Sequence, residues 1–254
     1  MVLSCRQYPD HNTIAPFIAT MKDEILPLSL DVLLVCEEMN LLGGTFFALE
    51  GCKLPSNASM GWSWKVDDLK RKKEKIEESF RKTMNEQEEE DRKDDDPPFS
   101  GGNREKQIEA LKKQAERIQA WLKENEAKIG KKGREITSNV TDNESAKMTT
   151  SHGAVQGYNS QALVDAKHQV LILGEVFGEG QDVGLIPPMI DGAKKNMNQI
   201  GHANSSEYFA GMTFAVDSRY HSKNNIQKGE DEKLDAYISD KLLNTRDPRY
   251  DEWR

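Results

Sequence analysis

Hydrophobic positions follow different rhythms along the chain. Leu28, Leu30, Val32, Leu33, Leu34 and Val35 crowd into residues 27–42 and predict a helix. Pro27 suits its first position, where a missing N–H costs little, and Gly43-Gly44 ends it. Upstream, Pro9 to Ala15 reads as a turn entering a helix with Asn12 or Thr13 as its N-cap, so residues 1–44 form one helical region. Thr45-Phe46-Phe47-Ala48-Leu49 is a short β-rich run and predicts a buried strand, the first strand of a core within residues 45–61.

Residues 62–135 change register. Val66, Leu69, Ile76 and Phe80 fit one face of a helix, and Ile108, Leu111, Ala115, Ile118, Leu122 and Ile129 keep near-heptad spacing. Between them, Glu86 to Gly102 is acidic and then rich in proline and glycine, which predicts a loop. The result is an inserted antiparallel helical hairpin, coiled-coil-like in its seam. Lys70 to Lys75 form a basic stretch that reads as a solvated helix face, with contact to phosphates as the alternative. Trp62, Trp64 and Trp121 could stack on bases, but packing within the hairpin is the simpler use of them.

Beyond Gly133, residues 136–254 alternate as strands and helices. Gly157–Asp165 and His168–Val176 predict two strands joined through Ala166-Lys167, and Asp182 to Asn198 predicts a helix with Pro187 and Pro188 near its start. Met212–Asp217 predicts a strand ending in a carboxylate. A helix follows from Ser222, then a last strand at Leu234–Ile238 and a coil at Arg246–Tyr250. With the hairpin removed the order is β-β-β-α-β-α-β, which resembles the ribonuclease-H-like fold: an α/β class with a mixed sheet flanked by helices. In that fold the first and fourth strands are neighbours, so Glu50 and Asp217 would lie side by side.

Composition narrows the partners. Of the 254 residues 31% are charged and the formal net charge is −8, which argues against a dedicated DNA-binding domain and suits an acidic metal-dependent core. Mean hydropathy is −0.75. No apolar run reaches the roughly 20 residues that span a bilayer, and the start lacks the regions of a signal peptide, so a cytoplasmic protein without a membrane is expected. Cys5, Cys36 and Cys52 match no zinc spacing and read as reduced thiols. His152, His168, His202 and His221 form no ligand spacing, and Gly178-Glu179-Gly180 is a loop without a phosphate-cradle pattern. Asp165 reads as a turn acid and Asp182 as a helix N-cap.

The chemistry-bearing candidates are Glu50, followed by Gly51 after the first strand, and Asp217. Two carboxylates at adjacent strand ends can ligate Mg2+ or Mn2+, which prefer oxygen. Paired ions of this kind support in-line phosphoryl transfer. Taken alone, each is equally an ordinary turn acid.

Several blocks carry a family resemblance. Tyr8-Pro9-Asp10-His11-Asn12-Thr13-Ile14-Ala15-Pro16-Phe17, Glu50-Gly51-Cys52-Lys53 with Asn57-Ala58, Gly157-Tyr158-Asn159-Ser160-Gln161 with Val164-Asp165, and Ala215-Val216-Asp217-Ser218-Arg219-Tyr220 follow one another in order. Together they resemble bacterial insertion-sequence transposases of the DDE class, in the branch with a long helical insertion after the first strand. The resemblance implies strand cleavage and transfer at transposon-end DNA with Mg2+ or Mn2+, and gives Glu50 and Asp217 the places of the first two catalytic, metal-ligating acids. There are departures. Glu50 stands where the family has aspartate, Cys52 where many members have threonine, and Arg219 where they have glycine, an exchange that would either crowd the metal site or bring an unwanted positive charge to it. A displacement of about 1 Å can cost on the order of 100-fold in rate. The family's third acid, a glutamate, belongs beyond the equivalent of Tyr250, and a helical region belongs before Tyr8. The expectation is therefore a protein truncated at both ends, with the C-terminal part of its core missing, one sheet face partly uncovered, and no catalytic activity. An alternative is a non-catalytic regulator that forms a homo-oligomer, or pairs through the hairpin with a full-length transposase.

Overall fold

Short polar side chains set the ends of the first helices. In the computed structural model, which describes residues 10–91, 101–130, 133–202, 205–240 and 242–249, α1 spans His11–Thr20. Its N-cap is Asp10, not Asn12 or Thr13: the carboxylate accepts from the Thr13 N–H at 2.9 Å. Helix α2 spans Ile25–Glu38, so Pro27 falls inside its first turn rather than opening it. It also stops before the glycines. Asn40 turns to φ 54°, and the Leu41 N–H bonds back to the Cys36 carbonyl at 2.9 Å, closing the helix with a left-handed cap.

The chain divides into two units, one of Met1–Cys52, Ser160–Val176 and Gln181–Arg254, the other of Lys53–Asn159 and Phe177–Gly180. The inserted hairpin is thus grouped with residues on both sides of 62–135.

The first unit is α/β with a mixed sheet. Its strands are β1 (Phe46–Pro55), β5 (Gly153–Asp165), β6 (Val170–Phe177), β7 (Thr213–Val216) and β8 (Asp235–Ile238), the first three of which run on into the second unit. They lie in the order β6-β5-β1-β7-β8. β1 is parallel to β7, from Phe46↔Thr213 to Leu49↔Val216, and β7 is parallel to β8, from Thr213↔Asp235 to Val216↔Ile238. Alternation sends Phe47, Leu49, Phe214 and Val216 into the core. There Phe47 meets the edges of Tyr208 and Phe209 at 5.9 and 5.2 Å between ring centres. Helix α5 (Ile186–Gln199) buries Ile186, Met189, Ile190, Ala193 and Met197, one stripe at helical spacing. It starts at Ile186, later than the Asp182 the sequence suggests, with its prolines in the first turn. Helix α6 (Lys223–Asp231) is capped by Ser222, whose hydroxyl accepts from the Asn225 N–H. A short α7 (Leu243–Arg246) takes the start of the expected coil. The loop between β5 and β6 runs from Ala166 to Gln169, longer than the expected two residues, with Gln169 at φ 57°.

The second unit holds the helical hairpin, α3 (Val66–Asp91) and α4 (Gly101–Glu124). Both helices reach into the expected loop, of which residues 92–100 lie outside the described residues. Leu69, Ile76, Ile118 and Trp121 form its seam, with Trp62, Val66, Leu111, Ala115 and Leu122 around them. Ile129 does not continue the heptad: α4 ends at Glu124, and Ile129 pairs as an isolated bridge with Glu135. Three strands escaped the sequence reading: β2 (Ser63–Trp64) paired with β3 (Ser138–Asn139), and β4 (Ala146–Thr150) paired with the start of β5. Fully buried Asn139 ties the base of the hairpin, donating to the Ser59 carbonyl and accepting from Thr141 and Asp142 N–H groups.

Candidate functional site

The site sits at the end of the parallel ladder. β1 continues to Pro55, so Glu50 is inside the strand and not at its end as the sequence suggested. The ladder with β7, however, stops at Leu49↔Val216, so Glu50 and Asp217 are the next residues on neighbouring strands. Such strands lie about 4.8 Å apart. Glu50 is exposed and Asp217 half-buried. Asp217 ends the strand because its Oδ1 accepts from the Arg219 N–H at 2.7 Å, opening the short turn Ser218–Tyr220.

Four further residues converge there. Gln161, on the inward face of β5 and 1% exposed, accepts from the Tyr220 hydroxyl and donates to Asp182 Oδ1 at 3.3 Å. Asp182 is 4% exposed. It is no N-cap, since α5 opens later; its carboxylate turns into this cluster instead. Arg219 Nε lies 2.7 Å from Asp217 Oδ2 and 3.6 Å from Asp182 Oδ2. Gly51 makes room: a Cβ there would fall 2.3 Å from Gln161 Nε2. The Asn225 side chain donates to the Tyr220 carbonyl at 2.6 Å and fixes the turn.

The electrostatics follow from this crowding. Burial pushes the Tyr220 hydroxyl well above the usual phenol range, and the charges of Asp182, Asp217 and Glu50 push it further, against a smaller opposing pull from Arg219. All three carboxylates therefore act on one buried hydroxyl. The hydrogen bond to Asp217 is the leading cause that raises the already high Arg219 pKa.

A divalent ion does not fit the set as arranged. Both Asp217 oxygens are engaged by Arg219, one by its N–H and one by its guanidinium. Among the described residues no group of three or more His, Cys, Asp or Glu is disposed to hold a metal.

The sequence singled out Glu50 and Asp217 as candidates but did not place Gln161, Asp182 and Tyr220 beside them. The available signal was polar Asn159 and Gln161 alternating with Leu163 on a strand face that had to be buried. Asp165 keeps its structural part: its carboxylate accepts from the Gly43, Gly44 and Lys167 N–H groups, each at 2.9 Å. Trp121 packs in the hairpin seam, and Lys72 sits 5.0 and 4.7 Å over Trp62 and Trp64. Lys70, Arg71 and Lys73 pair with acids one turn away. Gly178 allows close approach, since a Cβ would meet the Glu144 carbonyl at 2.0 Å. Cys36 and Cys52 are free thiols; Cys5 lies outside the described residues. No helix among the described residues is long and apolar enough to cross a membrane.

No family model, curated protein or solved structure matches the chain.

Proposed function

We propose that the chain is a transposase-derived protein of the DDE class, built on a ribonuclease-H-like core, whose ancestral activity is metal-dependent cleavage and transfer of transposon-end DNA. The observation that carries this is the position of Glu50 and Asp217, each the next residue past the Leu49↔Val216 end of the β1–β7 ladder. The strand order β6-β5-β1-β7-β8, with its last three strands parallel, supports the core assignment. The sequence blocks that resemble the family also meet in space: Gly51, Gln161 and Tyr220 come from three of them and interlock.

The present chain is catalytically silent in this account. Glu50 reaches one methylene further than an aspartate, and misplacing a ligand by about 1 Å costs on the order of 100-fold. Mg2+ or Mn2+ belongs to the ancestral reaction.

The test starts with the DNA flanking the reading frame. Terminal inverted repeats are expected there, and their absence contradicts the ancestry. A supercoiled plasmid carrying those repeats is then incubated with the purified chain and Mg2+ or Mn2+. No metal-dependent nicking above background is expected. Strong nicking that disappears in Asp217→Ala overturns the silent assignment.

A further inference from the structure

We propose that Arg219 is the resident cation of this carboxylate site, a covalently held counter-charge beside Asp217 and Asp182 that takes the role a divalent ion would have there. Asp182 is 4% exposed, and a buried carboxylate is stable only with a partner of opposite charge or full hydrogen bonding. Gln161 donates to its Oδ1 at 3.3 Å, and the cationic Arg219 Nε lies 3.6 Å from its Oδ2. The same Nε donates to Asp217 Oδ2 at 2.7 Å, while the Arg219 N–H takes Oδ1 at 2.7 Å. One residue thus faces both acids and uses up both oxygens of the more accessible one. The geometry is enforced locally, because Asp217 and Arg219 are two residues apart in a turn whose next residue, Tyr220, is buried and anchored through Gln161 and Asn225. An arginine is charged at every working pH, so this counter-ion cannot be lost by titration or dilution. Its side chain is 54% exposed, which leaves it replaceable without opening the core.

The consequence is that the natural chain takes up no Mn2+ at these acids, and that the vacancy is created by removing one positive charge. Arg219→Gln keeps length and polarity but not charge. Arg219→Lys keeps the charge. The experiment titrates Mn2+ into the full chain and both variants, followed by electron paramagnetic resonance of free Mn2+. R219Q is expected to bind Mn2+ at least about tenfold more tightly than the natural chain, with R219K close to the natural chain. Added Mn2+ should raise the Tm of R219Q and leave that of the natural chain unchanged. Equal Mn2+ affinity in all three proteins overturns the assignment, as does tight binding by the natural chain. If R219Q is too unstable to titrate, Asp182→Asn is combined with it. The double variant removes the buried charge along with its partner, so it should recover the Tm lost by R219Q and bind no Mn2+. Additive loss of Tm in the double variant overturns the assignment. The inference shares only Asp217 with the proposed function and stands on the geometry of Arg219, Asp217 and Asp182, and ion binding can fail independently of the flanking-repeat test.

Discussion

Gly51 acts by having no side chain. Its Cα faces Gln161, whose amide is pinned from two sides by Tyr220 and Asp182, so the amide cannot swing away from an added methyl. Gly51→Ala is expected to destabilise the chain by about 1–3 kcal/mol, measured by urea unfolding. Gly61→Ala serves as the control and should stay near neutral, because its nearest neighbour would be Ser59 Oγ at 3.7 Å. Tyr220 adds a pH dependence. Its folded pKa lies above the unfolded value, first through burial and then through the neighbouring acids. The contribution is therefore fully present below about pH 10 and is lost as pH rises beyond it. Tyr220→Phe should flatten the alkaline fall of Tm between pH 9 and pH 11 (on the order of the phenol's titration range); an unchanged slope would remove Tyr220 from that role. At this scale the sequence placed Asp217 correctly at the end of its strand but put Glu50 at a strand end, where β1 in fact runs on to Pro55. It did not show Asp182, because Pro187 and Pro188 allow several helix starts and only the fold turns that carboxylate inward.

Elements were legible where the local signal was strong. The hairpin seam and the α5 stripe repeat at helical spacing over several turns, so their identity did not depend on tertiary contacts. Ile118→Ala should cost about 2–5 kcal/mol, because that side chain is fully buried in the seam. Boundaries were less legible. Asn40 ends α2 because asparagine tolerates the left-handed region, while the more obvious glycines beyond it serve the turn held by Asp165. β4 was hidden because Ala146–Thr150 has little apolar alternation and is defined by pairing with Gly153–Gly157. Between α5 and α6, Glu232 is held by Lys194 and Lys228, and Lys228 also reaches Asp191 at 2.7 Å. Burial alone would push the Glu232 carboxyl up, but the two lysines together outweigh it and hold it below the usual range. Stability from this tie is present above the unfolded carboxyl pKa of about 4.3 and is lost as pH falls through the lower folded value. Acid unfolding of Glu232→Gln should show a shallower pH dependence than the natural chain, and an equal dependence would place the acid sensitivity elsewhere.

The whole molecule keeps much apolar surface in water. In α1 and α2 the side chains of Ile14, Phe17, Ile18, Leu26, Leu28 and Val32 are each at least 42% exposed, and Leu33 is the only fully buried residue of α2. On the sheet face opposite Phe47 and Leu49, Phe46 is 40% and Tyr237 61% exposed. Exposed apolar surface on this scale drives non-specific association. The natural chain should therefore bind the dye ANS under native conditions, and Leu28→Lys with Val32→Lys should lower that fluorescence without unfolding the chain; unchanged fluorescence would locate the apolar surface elsewhere. Glu50 and Asp217 are neighbours across β1 and β7, one residue past the end of their ladder. Cysteine cross-linking tests it directly, with Cys5, Cys36 and Cys52 replaced by serine. Neighbouring strands about 4.8 Å apart fall inside the Cα separation of roughly 4.4–6.8 Å that a disulfide spans. Glu50→Cys with Asp217→Cys should cross-link rapidly under mild oxidation, while Glu50→Cys with Tyr237→Cys, two strands apart, should not. A cross-link in the second pair but not the first would contradict the strand order, and with it the acid pair on which the proposed function stands.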